Sequence, residues 1–151
     1  MTLELKDLLL EKPVTLILWE LDSKPDPIFQ ALQGETEIRS ISSIEEFLEW
    51  IKMVDVRYFI VGVKTLDKLK EAKTILDGIV IEKRRNIFIV FISPNLNTMD
   101  MKEMFLFSVN LILNEKDIKD FEKILSKAKA YWEHLYKPYF TTLNKLLEGS
   151  I

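Results

Sequence analysis

The sequence contains no cysteine and only one histidine, His134, among its 151 residues. Disulfides, thiolate nucleophiles and cysteine-based zinc or iron–sulfur centres are thereby excluded, and a single imidazole cannot build a histidine-rich metal site. Glycine and proline are scarce, at four and five residues, which removes collagen-like and low-complexity classes and leaves a compact globular chain. No apolar run approaches the roughly 20 residues that span a bilayer. The opening MTLELKDLLLEKP mixes acids among its leucines and lacks the basic start and apolar centre of a signal peptide. A net charge of −3 and a pI near 5.3 argue against a nucleic acid or an anionic membrane as partner. The one basic cluster, Lys83-Arg84-Arg85, reads as a solvated loop. The expectation is a cytoplasmic protein with no metal or cofactor.

What is present is hydrophobic residue in abundance, 48% of the chain, arranged in two alternating periodicities. Strand-like runs are VTLILW (14–19), TEIRSI (36–41), YFIVGV (58–63), NIFIVFIS (86–93) and NLILN (110–114). Between them lie helical patterns: a short one around 28–32, SSIEEFLEWIKM with Ser43 and Glu46 spaced as a capping box, TLDKLKEAKTILDGI, and a short one near 99–109. The second helix turns Ile44, Phe47, Leu48 and Ile51 inward and leaves Trp50 off that face. The third turns Leu66, Leu69, Ala72 and Leu76 inward. The last segment has the strongest stripe, from Ile118 through Trp132 and Leu135, interrupted at Pro138.

Strand and helix alternating through one domain predict an α/β three-layer sandwich with a five-stranded parallel sheet, order 2-1-3-4-5. The more polar second strand belongs at an edge. Residues 1–12 form an N-terminal extension, 13–130 the domain, and 131–151 an aromatic-rich helical extension.

The layout resembles a response-regulator receiver domain, most closely in IRSISSIEEFLEWIK, which is similar to that family's second strand and helix. The resemblance implies an acidic pair after the first strand, a phosphoacceptor aspartate ending the third, a hydroxyl ending the fourth and a Lys-Pro ending the fifth. Here those positions carry Trp19 and Glu20, then Gly62, Ser93, and Asn114-Glu115. One acid of the pair survives, Asp22 lies two residues further on, and the acceptor has no side chain. Mg²⁺ ordinarily takes one or two carboxylates together with phosphate oxygens, so the resemblance implies a degenerate, non-catalytic regulatory module.

The alternative enzyme reading starts from ELDS (20–23), similar to the DxDx[ST] opening of haloacid-dehalogenase phosphatases. It would be a divergent Mg²⁺-dependent phosphatase or phosphotransfer protein using Glu20, Asp22 and Ser93. Glycine-rich nucleotide motifs are absent, and the acidic WELDSKPD is unsuited to flavin phosphate. A Ser93–His134 triad is disfavoured because His134 lies within the long helix beside Trp132.

If chemistry has been lost, the surface carries the function. In the apolar helix MDMKEMFLF, Met101, Met104 and Phe105 can face the sheet and leave Met99, Leu106 or Phe107 partly exposed, and Met99, Phe105, Leu106 and Phe107 are the expected partner-binding residues. In receivers the corresponding helix is a usual dimerisation and output face. Tyr131, Trp132, Tyr136, Tyr139 and Phe140 form a dense aromatic group, a composition enriched at interface hot spots. A protein partner and self-association into a homodimer are therefore expected.

Overall fold

The structure, a computed structural model, describes residues 12–149, with side chains to residue 135. Five parallel strands, β1 (Val14–Trp19), β2 (Glu37–Ile41), β3 (Val56–Gly62), β4 (Phe88–Ser93) and β5 (Leu111–Asn114), form one sheet in the order β2-β1-β3-β4-β5. The expected fold and strand order are therefore present, with β2 at an edge.

Side-chain alternation along each strand builds two cores. Leu16, Phe59, Val61, Ile89 and Phe91 meet helices α2 (Ile44–Met53), α3 (Leu66–Leu76) and α5 (Met101–Phe107). Ile17, Ile60, Val90, Ile92 and Leu113 meet α1 (Asp26–Leu32) and α6 (Phe121–Gly149) on the opposite face. A one-turn helix, α4 (Ile81–Arg84), joins α3 to β4, and a 3-10 segment at Glu115–Asp120 leads into α6.

The caps follow the local sequence. Ser43 Oγ accepts from Glu46 N at 3.3 Å, and the Glu46 carboxylate reaches back to Ser42 N at 3.4 Å. Thr65 caps α3 through Lys68 N.

Both sheet edges are guarded. On β2, Arg39 donates to the carbonyl of Ile38 and lies 3.6 Å from Glu37, which places charge along the edge. On β5, Met99 N donates to Ile112 O at 2.9 Å and Thr98 Oγ1 accepts from Asn114 N at 2.9 Å. The segment before α5 thus occupies hydrogen-bonding positions another strand would need, with Met99 held at φ 60°.

Three side-chain expectations and one helix boundary are corrected. Trp50 is buried, because the face of α2 that meets the sheet is centred on Phe47 and Trp50, while Ile44, Leu48 and Ile51 are half-buried. Leu66 is exposed at the start of α3. On α5, Met104 and Phe107 are buried, and Met101 and Phe105 are exposed. The helix begins only after Asp100, which caps it through Glu103 N, and in seven residues that start decides which side chains face inward. Finally, α6 continues through Pro138 to Gly149. A proline inside a helix removes one backbone hydrogen bond and strains the preceding turn; here the helix continues past it.

Candidate functional site

In open α/β sheets the chemistry gathers at the carboxyl ends of the strands. The parallel register brings the four anticipated positions there. Trp19 is opposite Gly62, Gly62 is opposite Ile92, and Ser93 is opposite Asn114. Glu20 follows directly, its N–H donating to Gly62 O at 2.8 Å.

The space above Gly62 is filled. A Cβ at position 62 would lie 2.5 Å from Cε3 and 2.6 Å from Cζ3 of Trp19, and 3.1 Å from Cδ1 of Leu21. Contacts of that length lie well inside the separation at which carbon atoms attract. The Trp19 ring is also anchored, because its Nε1–H donates to Ser23 O at 2.7 Å. Ser23 is tied in turn to Glu115, whose carboxylate accepts from Ser23 Oγ at 2.8 Å. The two positions at which the receiver resemblance expects acids carry a complementary large–small pair, with the indole covering a bare backbone.

The remaining polar groups are engaged locally. Glu20 pairs with Lys68 at 2.7 Å and the exposed Asp22 with Lys64 at 3.0 Å. Ser93 is fully buried, accepting from Asn95 N at 3.2 Å and facing Lys64 O at 3.5 Å. Asn114 acts as a tie: its amide donates to Leu96 O at 2.7 Å, and its oxygen accepts from Lys116 N at 3.0 Å. Among the described residues no group of three or more His, Asp or Glu side chains could hold a metal ion. The donors present do not fit Mg²⁺: the sheet end offers single carboxylates paired to lysines, with the Trp19 ring filling the space over Gly62.

No family model matches the sequence, and no match is found among curated proteins. Solved structures do match. A response regulator from Thermotoga maritima superposes with a TM-score of 0.57 at 10% identity, covering 78% of this chain and 97% of its own. A CheY-like protein from Pseudomonas aeruginosa gives 0.57 at 11%, covering 78% and 99%. The fold is the flavodoxin-like fold of receivers. A cobalamin-binding protein from Desulfitobacterium hafniense shares it, with a TM-score of 0.55 at 15% identity over 78% of this chain and 59% of that one. The receiver fold thus hosts differing functions, and residues at the site must decide among them.

At the opposite, amino end of the sheet sits a polar group that the sequence did not announce. Tyr58 Oη donates to Glu35 Oε1 at 2.9 Å and accepts from Lys129 Nζ at 2.8 Å, joining β3, the α1–β2 turn and α6. Burial, the largest influence, raises the Tyr58 pKa above 10.0. The hydrogen bond to Tyr58 raises that of Lys129. Both groups hold their protons more tightly folded than unfolded, so their stabilisation is complete below the unfolded values and fades as pH rises through the folded ones. The melting temperature should therefore decline above pH 10 more steeply in the wild type than in Tyr58→Phe. Thermal melts between pH 8 and 11.5 measure this, and parallel curves would refute it.

The basic cluster is mostly spent on structure. Lys83 Nζ donates to Ile51 O near the end of α2, and Arg84 donates to Ser108 O just past α5. Cations at helix C-termini complement the unpaired carbonyls there. Of the anticipated partner residues, Leu106 is exposed with Phe105, and Met99 is half-buried. Phe107 is corrected to core, its ring edge-on to Phe91 at 5.7 Å. Tyr131 is exposed, and Trp132 is half-buried with Nε1–H donating to Asn110 O at 2.7 Å. The side chains of Tyr136, Tyr139 and Phe140 lie outside the described residues, as do residues 1–11 of the N-terminal extension. No described helix is long and apolar enough to cross a membrane.

Proposed function

We propose that this chain is a non-catalytic receiver-fold module that acts by binding protein, with phosphoryl transfer abandoned at its sheet end. The observation that carries the reading is the anchored Trp19 ring over Gly62, in the volume where the acceptor side chain of a phosphorylatable receiver would project. Loss of an acid could leave an open, hydrated groove, but here the groove is filled and its remaining polar groups are paired. The phosphatase alternative is weakened by the same neighbourhood. Its hydroxyl, Ser93, is buried, and its two acids are each bound to a lysine. A protein partner, with neither nucleic acid nor membrane involved, and a cytoplasmic setting fit the acidic balance of the chain.

Incubation with acetyl phosphate and Mg²⁺ followed by intact-mass spectrometry tests the proposal. The expected result is an unmodified chain, and a stoichiometric acid-labile adduct would reject it. A panel of phosphate esters addresses the enzyme alternative: turnover abolished by Glu20→Gln and Asp22→Asn would establish that reading instead.

A further inference from the structure

The face by which α6 joins the fold outlasts the sheet it covers. Phe121, Leu125 and Ala128 are buried, and Trp132 is half-buried. Continuing the same 3.6-residue period puts Leu135, Tyr139, Leu143 and Leu146 on that face. The sheet has ended by then. α6 runs from the carboxyl end of β5 back toward its start, where Trp132 Nε1–H donates to Asn110 O, one residue before the strand. Residues 133–149 carry the helix about 25 Å further. Leu135, the last described side chain, is already 51% exposed. A helical stretch of that length is marginal in water unless something covers its apolar face.

The chain supplies a cover at the same end. Thr15 of β1 stands beside Tyr58 in register, and Tyr58 Oη accepts from Lys129 of α6 at 2.8 Å. Pro13 lies two strand residues, about 7 Å, before Thr15, and its carbonyl accepts from Glu37 N at 2.9 Å. Residues 1–12 are therefore tethered at the end of the sheet past which α6 projects. Within them Met1, Leu5, Leu8 and Leu9 have the spacing of one helical face. A residue before proline is kept out of the helical region, so such a segment ends before Pro13.

From this juxtaposition we infer that residues 1–11 fold back along α6 and cover its apolar face beyond the sheet, at Leu135, Tyr139, Leu143 and Leu146. The lengths agree: eleven helical residues span about 16 Å, as does α6 from Leu135 to Leu146. The charges are of opposite balance. Glu4, Asp7 and Glu11 outnumber Lys6 on the segment, whereas Lys137 and Lys145 outnumber Glu148 on α6 beyond Leu135. A short tether also holds the segment at an effective concentration in the millimolar range, well above that of a second copy in dilute solution.

Because the sequence has no cysteine, Lys6→Cys offers a single point for a nitroxide label on the full chain. Magnetic resonance spectra should show the amide signals of residues 135–147 broadened by the label and those of Asp22 and Ser23, at the opposite end of the sheet, unaffected. When nitroxide-labelled chain is mixed with isotope-labelled chain that carries no nitroxide, the broadening should vanish. Joint substitution of Leu5→Asp and Leu8→Asp should speed amide hydrogen exchange across residues 136–147 by about tenfold or more. Exchange in β3 should stay unchanged, showing that the domain is still folded. Unbroadened α6 signals overturn the inference, as does exchange insensitive to the two substitutions. Broadening in the mixed sample as strong as within one chain would make a second copy the occupant and overturn it too. None of these outcomes alters the acetyl phosphate result, so failure here is distinguishable from failure of the proposed function.

Discussion

Gly62→Asp, the substitution that would place a carboxylate where the receiver resemblance expects the acceptor, should destabilise the fold by about 3 kcal/mol and lower the melting temperature by roughly 6–12 °C. Even the first atom of the new side chain would sit 2.5 Å from the Trp19 ring. The ring cannot swing aside without giving up its hydrogen bond to Ser23 O, and Leu21 closes the neighbouring direction at 3.1 Å. The carboxylate would also be pressed against aromatic and aliphatic carbon. If the ring is the obstacle, Trp19→Ala should make the aspartate more tolerable. The double variant should be more stable than the sum of the single effects predicts, with a coupling of about 1 kcal/mol or more. Thermal denaturation of the four proteins measures both quantities. A Gly62→Asp protein melting within about 2 °C of wild type would mean that the ring yields easily and the groove is not plugged.

That filled groove was only partly legible. Alignment of strand ends identified the positions, and the register Trp19–Gly62 follows from parallel pairing once the strands are known. A large residue directly opposite a glycine at two neighbouring strand ends was the available signal. The anchor was hidden, because it depends on a loop returning Ser23 to the indole and on Glu115, 92 residues away, holding that loop. The sheet itself was legible because its apolar runs are long and the edge strand is polar. Short elements were harder. α5 has seven residues, so the position of Asp100 determined whether Phe105 or Phe107 was buried. α4 has four residues and no apolar face turned inward, and its hold on the fold comes from Lys83 and Arg84 reaching carbonyls of other helices. Pro138 misled for another reason: its cost to a helix is local, and a 29-residue helix can continue past one lost hydrogen bond.

Two phenylalanines offer the sharpest separation between what holds this fold and what its surface is for. Phe59 is fully buried in β3, hydrogen-bonded in register between Leu16 and Ile89, and its ring stacks on Phe47 of α2 at 4.0 Å and 8°. Phe59→Ala removes the ring and leaves a cavity between sheet and helix that α2 can close only by moving, which should cost about 3–5 kcal/mol. For a domain of this length that is a fall of roughly 6–20 °C in melting temperature. Phe105, 88% exposed, touches little of its own chain, so in the monomer Phe105→Ala should stay within about 0.5 kcal/mol of wild type. Urea denaturation at sub-micromolar protein, a concentration that dilutes out any self-association, compares the two directly. A Phe59→Ala loss below about 1 kcal/mol would mean the core repacks around the missing ring. A Phe105→Ala loss as large as that of Phe59→Ala would mean that the exposed ring supports the fold. With Phe105 neutral in the monomer and Phe59 not, any effect of Phe105→Ala on binding to another protein can be assigned to the surface and not to the fold.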